Sequence, residues 1–237
     1  MCGITGFLNR SSFCATDAEI LVFNMSNRLV HRGPDDAGVW VDGDAGIALG
    51  HRRLSILDLS DAGHQPMISA SGRYVIVLNG EIYNHLEIRK QLEVSESPPA
   101  WRGHSDTETL LAGFDRWGIE KTLKMSVGMF AFGLWDRKDR VLTLARDRMG
   151  EKPLYYGWQG NNFLFGSELK ALRAHPAFRA GIDHNVLALY LRYGYITAPY
   201  SIYENIFKLL PGAMCKSSRN SRPVPCQSPR RTGRCGK

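Results

Sequence analysis

A cysteine directly follows the first methionine, so the chain carries a thiol at its second position. Initiator methionine is normally removed when the next residue is small, and we expect Cys2 to become the first residue of the mature chain. Its α-amine, with a reference pKa of about 7.7 to 8.0, then serves as a base for its own thiol. Such a thiol is an activated nucleophile for covalent catalysis. Taken alone, Cys2 also fits a small buried residue at the start of a strand.

Three other polar features each have two interpretations. Asn79-Gly80 offers an amide and a backbone N–H that a substrate can approach closely, but the same dipeptide favours a two-residue hairpin turn. Asp106 either binds a cation or is an acidic residue favoured by the dipole in the first turn of a helix. Arg52 and Arg53 are adjacent, and residue type alone does not separate a binding arginine from a surface ion-pair partner.

Five histidines in the first half of the chain raise the question of a metal site. No two of them have the close helical spacing of a zinc site, and no CxxC pair accompanies them, so we expect no metal. They are His31, His51, His64, His85 and His104.

Five short motifs occur in order along the chain. They are Cys2-Gly3-Ile4-Thr5-Gly6, His31-Arg32-Gly33-Pro34-Asp35, Gly50-His51-Arg52-Arg53-Leu54-Ser55-Ile56, Leu78-Asn79-Gly80-Glu81-Ile82-Tyr83-Asn84 and Ser105-Asp106-Thr107-Glu108. Together they resemble the glutaminase domain of class II, N-terminal-nucleophile glutamine amidotransferases, over residues 2 to about 214. Pro34, Arg146-Asp147 and Lys152-Pro153-Leu154-Tyr155-Tyr156 resemble the asparagine synthetase branch of that family.

The resemblance implies a role for each group that glutamine hydrolysis needs. Cys2 would attack the side-chain amide carbon of L-glutamine, and water would resolve the resulting thioester. The side-chain N–H of Asn79 and the backbone N–H of Gly80 would form the oxyanion hole. The implied substrate-binding residues are Arg53 for the α-carboxylate, backbone groups of Ile56 and Leu57 beside it, Asp106 for the α-ammonium, and Glu81 on the same side.

Strands and helices must position these residues, and the pattern of apolar residues predicts both. Strands are predicted over 3–8, 38–41, 47–51, 73–78, 127–135, 140–145, 155–157 and 162–165. Helices are predicted over 16–29, 81–92, 106–117, 167–174 and 183–193. Capping boxes at Thr16 with Glu19, and at Ser105 with Glu108, mark the starts of two of them.

The predicted strand over 127–135 is apolar on both alternating faces, so it belongs to an inner layer. Four polar residues, 136–139, then connect it to the next strand as an antiparallel hairpin. Hairpins covered on both faces, together with helices, imply an α+β layered sandwich. The family resemblance implies a four-layer αββα sandwich of antiparallel sheets, the N-terminal-nucleophile hydrolase type.

The formal net charge of +7 lies at the end of the chain. Residues 215–237 hold seven Lys or Arg and no acidic residue, which leaves 23 residues of each sign in residues 1–214. Because Ser, Pro, Gly and Arg dominate this segment, we predict a disordered basic tail over 215–237. The preceding chain is predicted to be a glutaminase domain over 2–190 and the start of a linker, over 191–214, towards a synthetase domain.

The sequence also limits cofactors and location. No run of about 18 apolar residues and no secretory signal pattern is present, so we expect a cytoplasmic protein without a membrane partner. The Ser-Gly-Gly-x-Asp-Ser phosphate loop of the family's synthetase domain is absent. Glutamine hydrolysis itself is expected to need no cofactor, and ATP and Mg would be required only alongside such a domain. The candidate partners are that domain or a second copy in a homodimer.

Two hypotheses from other classes remain open. A catalytically weak, truncated remnant would act as a binding or regulatory protein, and background ammonia release from processed protein would favour it. Nucleic-acid binding rests on the basic tail alone. Isolated basic tails attract phosphate without specificity, so a nucleic-acid partner is not expected.

Overall fold

The structure is a computed structural model that describes residues 1–56, 58, 60–94 and 98–221. Its strands are β1 (Gly3–Asn9), β2 (Asp36–Asp42), β3 (Ile47–Arg53), β4 (Met67–Ile68), β5 (Tyr74–Ile82), β6 (Gly128–Asp136), β7 (Val141–Arg146), β8 (Tyr155–Gln159), β9 (Asn162–Gly166), β10 (Phe207–Lys208) and β11 (Met214–Ser217). Its helices are α1 (Ala15–Asn27), α2 (His85–Glu93), α3 (Asp106–Trp117), α4 (Ile119–Met125), α5 (Leu169–Arg173) and α6 (His184–Tyr193).

The strands form two antiparallel sheets. The first has the order β10-β8-β9-β1-β3-β2, and the second has the order β11-β7-β6-β5-β4. In the first sheet β1 is central, and Gly3 lies opposite Arg52 of β3. In the second sheet the longest pairing joins β5 to β6, with Asn79 opposite Ala131. Three of the eight predicted site residues, Asn79, Gly80 and Glu81, lie at the end of β5.

Apolar residues on alternate strand positions separate the layers, because successive side chains point to opposite faces of a sheet. Val75, Val77 and Trp135 pack with the inner face of the first sheet in one core. The other face of the second sheet packs under α2 and α3, with Ile76 in that core. The outer face of the first sheet packs under α1, through Val22. The layers are therefore helix, sheet, sheet and helix, as predicted.

The helices are short, and their caps differ from prediction in one case. Ser105 caps α3 as predicted, since its hydroxyl accepts the N–H of Glu108 at 3.2 Å. The cap predicted at Thr16 is wrong, because α1 begins at Ala15 after Cys14, which makes no side-chain capping bond. No helix among the described residues combines the length and apolarity needed to cross a membrane.

Strand β5 continues past the point where the sequence predicts its end. The predicted strand stops at residue 78 and gives way to a helix from residue 81, whereas β5 runs to Ile82 and α2 begins at His85. Pairing with β6 extends the strand, with Gly80 opposite Phe130 and Glu81 opposite Met129. The hairpin interpretation of Asn79-Gly80 is therefore wrong, and both residues lie within a strand.

The segments predicted as linker and tail contribute one strand to each sheet. Phe207 and Lys208 pair with β8, and Met214–Ser217 pairs with β7. The predicted start of disorder at Cys215 therefore lies within β11, where Cys215 and Ser217 are buried and Lys216 is exposed. This alternation suits an edge strand with one covered face. The rest of the predicted tail, from residue 222 onward, lies outside the described residues.

Candidate functional site

Cys2 lies immediately before β1, at one end of the layer between the sheets. Its sulfur accepts the backbone N–H of Leu54 at 3.4 Å and lies 3.6 Å from the Leu54 carbonyl oxygen. Burial raises the pKa of the Cys2 thiol above its ordinary value, an effect that the hydrogen bond from Leu54 partly opposes. The thiol is therefore neutral near pH 7 and needs a base in order to react.

The backbone of Cys2 is held by the second predicted motif. Arg32 donates from Nε to the carbonyl oxygen of Cys2 at 2.9 Å, and from Nη1 to Glu168 at 3.0 Å. Burial alone would raise the pKa of Glu168. Hydrogen bonds from Arg32, His31 and Lys170 outweigh burial and lower the pKa of Glu168 to about 2. Glu168 is therefore ionised at neutral pH. This ion-pair network orders the chain at the nucleophile.

Asn79 and Gly80 lie on β5, the strand that ends beside Cys2. Asn79 is 1% exposed, and its Nδ2 has no hydrogen-bond partner among the described residues. A buried donor without an acceptor is costly, so such groups often serve an incoming ligand. At Gly80, an added Cβ would lie 2.2 Å from the carbonyl oxygen of Met129, so only glycine fits here.

Two carboxylates come together at the same end of β5. Asp106 is 5% exposed, and one of its oxygens accepts the N–H of Ile82 at 2.7 Å. Burial and the nearby charge of Asp106 raise the pKa of Glu81 to about 7, while Lys152 opposes that rise. Asp106 is the first residue of α3 and also lines the cavity beside Cys2, so its position fits both interpretations.

Arg53 ends β3, one residue past the pairing of Arg52 with Gly3. Antiparallel register therefore places it beside Cys2. It is 8% exposed, and its guanidinium donates to the carbonyl oxygens of Asp58 and of Ser60. Its other N–H groups make no hydrogen bond within the part of the chain that the structure describes. Arg52 instead donates to Asn27, so the structure distinguishes the two arginines that residue type could not.

One small cavity brings most of the predicted residues together. Its volume is about 40 Å³, and its lining includes Cys2, Arg53, Ile56, Gly80, Glu81 and Asp106. Asn79 adjoins the lining residues Leu78 and Gly80. Leu57, the remaining predicted residue, lies outside the described residues. A nucleophile, a cationic fork and two carboxylates thus surround a single space.

Several supporting residues were not predicted from the sequence. Gln65 bridges two elements of the cavity, since its Oε1 accepts the N–H of Leu78 at 2.6 Å and its Nε2 donates to Thr107 at 3.3 Å. Asp58 accepts the N–H of His104 at 2.9 Å, and its bonds from Ser60 and His104 hold its pKa at about 2. Neither Gln65 nor Asp58 lies in a recognised motif, so only the three-dimensional contacts identify them.

The chemistry available here is nucleophilic attack on a small polar substrate. The cavity offers a cation for a carboxylate and anions for an ammonium group. The Asn79 amide, which has no partner among the described residues, adjoins the cavity and is a donor for developing negative charge. An amino acid carries both of the matching charged groups. The arrangement therefore suits a zwitterion with an electrophilic carbon within reach of the Cys2 sulfur.

Comparison with known sequences gives one family and several relatives. A family model described as a glutamine amidotransferase domain matches residues 1–226. The putative asparagine synthetase [glutamine-hydrolyzing] 2 of Methanocaldococcus jannaschii is 37% identical over 227 residues, which cover 88% of this chain and 42% of the relative. Asparagine synthetase [glutamine-hydrolyzing] 3 of Bacillus subtilis is also 37% identical, with 89% and 34% covered. The chain thus spans less than half the length of these relatives.

Solved structures provide an independent comparison of the fold. The glutamine phosphoribosylpyrophosphate amidotransferase of B. subtilis, complexed with ADP and GMP, superposes with a TM-score of 0.65 at 20% sequence identity. The match covers 94% of this chain and 50% of that chain. At this identity the likeness concerns the fold alone, and it confirms the layered sandwich of antiparallel sheets that the resemblance predicts.

Proposed function

The chain belongs to the glutamine amidotransferase domain family, and from that premise we propose that it hydrolyses the side-chain amide of L-glutamine at Cys2. The observation that carries the proposal is the cavity in which Cys2, Arg53, Glu81 and Asp106 meet. The products are ammonia and glutamate.

The nucleophile is the Cys2 sulfur. Because burial keeps its thiol protonated, attack requires a base. The proposed base is the α-amine of Cys2 itself, which removal of Met1 would expose. The sulfur bonds to the amide carbon while the thiol proton passes through the amine to the leaving nitrogen. Ammonia departs and leaves a glutamyl thioester. Water then adds to the thioester carbon, the C–S bond breaks, and glutamate leaves as the thiol regains its proton.

Negative charge develops on the amide oxygen in both steps. The unpaired Nδ2 of Asn79 and the backbone N–H of Gly80 supply the proposed donors for this oxygen. Each donor of this kind contributes roughly 3 kcal/mol to the transition state, because it is fixed in place before the reaction. The buried, unpaired state of the Asn79 amide supports this assignment.

Substrate recognition follows from charge. In the proposed complex, Arg53 binds the α-carboxylate, aided by backbone groups of Ile56 and Leu57. Asp106 binds the α-ammonium with Oδ1, which also accepts the Thr107 hydroxyl at 3.4 Å, and Glu81 lies on the same side. Because Arg53 already holds the loop carbonyls of Asp58 and Ser60, substrate binding and loop position are coupled.

The names of the relatives suggest which molecule accepts the ammonia. The relatives from M. jannaschii and B. subtilis are named glutamine-hydrolysing asparagine synthetases, so we propose that the ammonia serves the formation of asparagine from aspartate. That step would use ATP and magnesium on a synthetase domain, supplied by further polypeptide or by a partner chain. The hydrolysis itself balances without a cofactor, since protein groups supply its nucleophile, base and donors.

The test is ammonia release from glutamine by matched cysteine variants. Cys2→Ala is expected to reduce release to background while the fold is retained, because the nucleophile is lost. Cys14→Ala is the control, since Cys14 is the other free thiol of the described residues, is exposed, and makes no capping bond. Undiminished ammonia release from Cys2→Ala would overturn the proposal.

A further inference from the structure

His51 is a fully buried histidine that the proposed chemistry leaves unused. It lies on β3, opposite Ile4 of β1. Its Nε2 is 3.0 Å from the carbonyl oxygen of Leu78 on β5. Because β3 belongs to the first sheet and β5 to the second, this side chain joins the two sheets across the layer between them.

The contact with Leu78 is a hydrogen bond that His51 donates. A carbonyl oxygen can only accept, so Nε2 must carry the ring proton. Nδ1 has no hydrogen-bond partner among the described residues. Burial lowers the pKa of His51 to about 4. Near pH 7 the ring is therefore neutral, with its single proton on Nε2.

The backbone of Leu78 lies on an edge of β5 that side chains cover in place of a strand. Strand β4 pairs with β5 up to Ile76, and Leu78 lies beyond that pairing. Its N–H donates to Oε1 of Gln65 at 2.6 Å, and its carbonyl oxygen accepts from His51. Because a peptide unit is planar, fixing this carbonyl also fixes the N–H and Cα of Asn79.

The backbone N–H of Gly80 is directed to the same edge of β5. Phe130 lies opposite Gly80, but its own N–H and C=O bond to Asp147. In an antiparallel pair this leaves the N–H of Gly80 on the other side of β5, two positions after Leu78. Side chains at odd positions of β5 face the layer between the sheets, and Asn79 is at an odd position. Both proposed oxyanion donors thus directly follow the peptide unit that the histidine holds.

We propose that His51 is a positioning residue of the oxyanion hole, because its bond to Leu78 fixes β5 against the first sheet beside Cys2. This inference rests on the proposed function. Ile4, opposite His51, follows Cys2 by two residues, and Leu78 and Gly80 line the same cavity as Cys2. Groups that act on a transition state must be held within about 0.5 Å of their productive positions. A shift of β5 would therefore lower the rate of reaction more than the affinity for glutamine.

The experiment measures steady-state kinetics of glutamine hydrolysis in histidine variants. His51→Leu removes the donor, and we expect kcat to fall about 10- to 100-fold with little change in KM, because the oxyanion donors are displaced. His51→Gln keeps an N–H donor and is expected to retain most of kcat. An unchanged kcat in His51→Leu, or an equal loss in His51→Gln, would overturn the proposal.

The matched control is the other buried histidine, His175. It packs against Phe7 in the core under α1, and its Nδ1 accepts the N–H of Ala177 at 3.1 Å. His175→Leu also removes a buried imidazole but is expected to leave kcat unchanged. A loss of kcat equal to that of His51→Leu would show that the effect is general damage to the fold, and it would overturn the proposal.

A double variant tests whether His51 acts through the oxyanion hole. If it does, His51→Leu costs less in kcat when Asn79 is already alanine than when Asn79 is intact. Fully additive losses in kcat would place the action of His51 elsewhere and overturn the proposal.

An NMR readout of the unmodified protein needs neither glutamine nor a variant, so it holds even where His51→Leu does not fold. The ¹⁵N shifts of the His51 ring are expected to show a neutral ring with its proton on Nε2 near pH 7. A proton on Nδ1, or a charged ring, overturns the role of His51, whatever the protein hydrolyses. Failure of the protein with Met1 removed to release ammonia from glutamine would instead overturn the proposed function.

Discussion

Two cavities of the molecule differ in both size and construction. The larger, about 660 Å³, lies against the helical face of the second sheet and is lined by Trp117, Lys121 and Lys124 among others. The smaller, about 40 Å³, adjoins Cys2. In the larger cavity both lysines are exposed, and the buried Asp136 is paired with Arg73. In the smaller one the buried, hydrogen-bonded Arg53 and Asp106 lie around a thiol. The proposed chemistry therefore follows the nucleophile and not the cavity volume.

Among variants at the two cavities, the largest effect is expected from Asn79→Ala, beside the smaller cavity. It removes the buried amide whose Nδ2 has no partner among the described residues. We expect kcat for glutamine hydrolysis to fall about 10²- to 10³-fold with little change in KM, because the donor acts in the transition state. Steady-state kinetics measures both values, and an unchanged kcat would remove Asn79 from the oxyanion hole.

Arg53→Lys is expected to have the next largest effect. A lysine keeps the charge but loses the planar fork, so KM for glutamine should rise about tenfold or more while kcat changes less. Arg52→Lys is the matched control one residue away, since Arg52 donates to Asn27 on α1. Equal effects of the two variants on KM would contradict the assignment of Arg53.

The pH dependence of stability tests the Glu81 environment. The pKa of Glu81 is raised from 4.5 to about 7, so the folded state binds this proton more tightly than the unfolded state. The resulting stabilisation is fully present below pH 4.5 and is lost as pH rises through 7. The Tm of the native protein relative to Glu81→Gln should therefore fall between pH 5 and pH 8 in thermal unfolding. A difference in Tm that stays constant across this range would contradict the raised pKa.

The smallest effect is expected in the larger cavity. Lys121 is exposed and lies 5.9 Å from the centre of the Trp117 ring. Lys121→Ala should change the free energy of unfolding by no more than about 0.5 kcal/mol and leave glutamine kinetics unchanged. Denaturant unfolding and ammonia assays measure the two quantities. A large loss of activity would show that chemistry extends beyond the small pocket.

The elements of the fold that depend on neighbouring residues could be predicted from the sequence. The capping box at Ser105 and the apolar faces of the strand before residue 136 predict α3 and the inner position of β6, and both are confirmed. The extension of β5 to Ile82 was not predictable, because it depends on pairing with β6, more than 40 residues later in the chain. Strand β11 depends in the same way on β7.

The site was predictable where residues form recognisable motifs. Cys2, Arg53, Glu81 and Asp106 come from separate motifs, and the structure brings them to one cavity. Gln65 and Asp58 differ from them, because each contributes through contacts with residues distant in the sequence. Gln65 contacts Leu78 and Thr107, and Asp58 accepts the N–H of His104. Neither contact leaves a pattern in the neighbouring sequence.

The most direct test of the central claim is the identity of the covalent intermediate. Protein quenched in acid during glutamine turnover is digested, and its peptides are analysed by mass spectrometry. We expect a glutamyl group on the peptide that begins with Cys2, with its α-amine free, and an unmodified peptide containing Cys14. Ammonia release accompanied by a glutamyl group on Cys14 or another residue, with Cys2 unmodified, would contradict it.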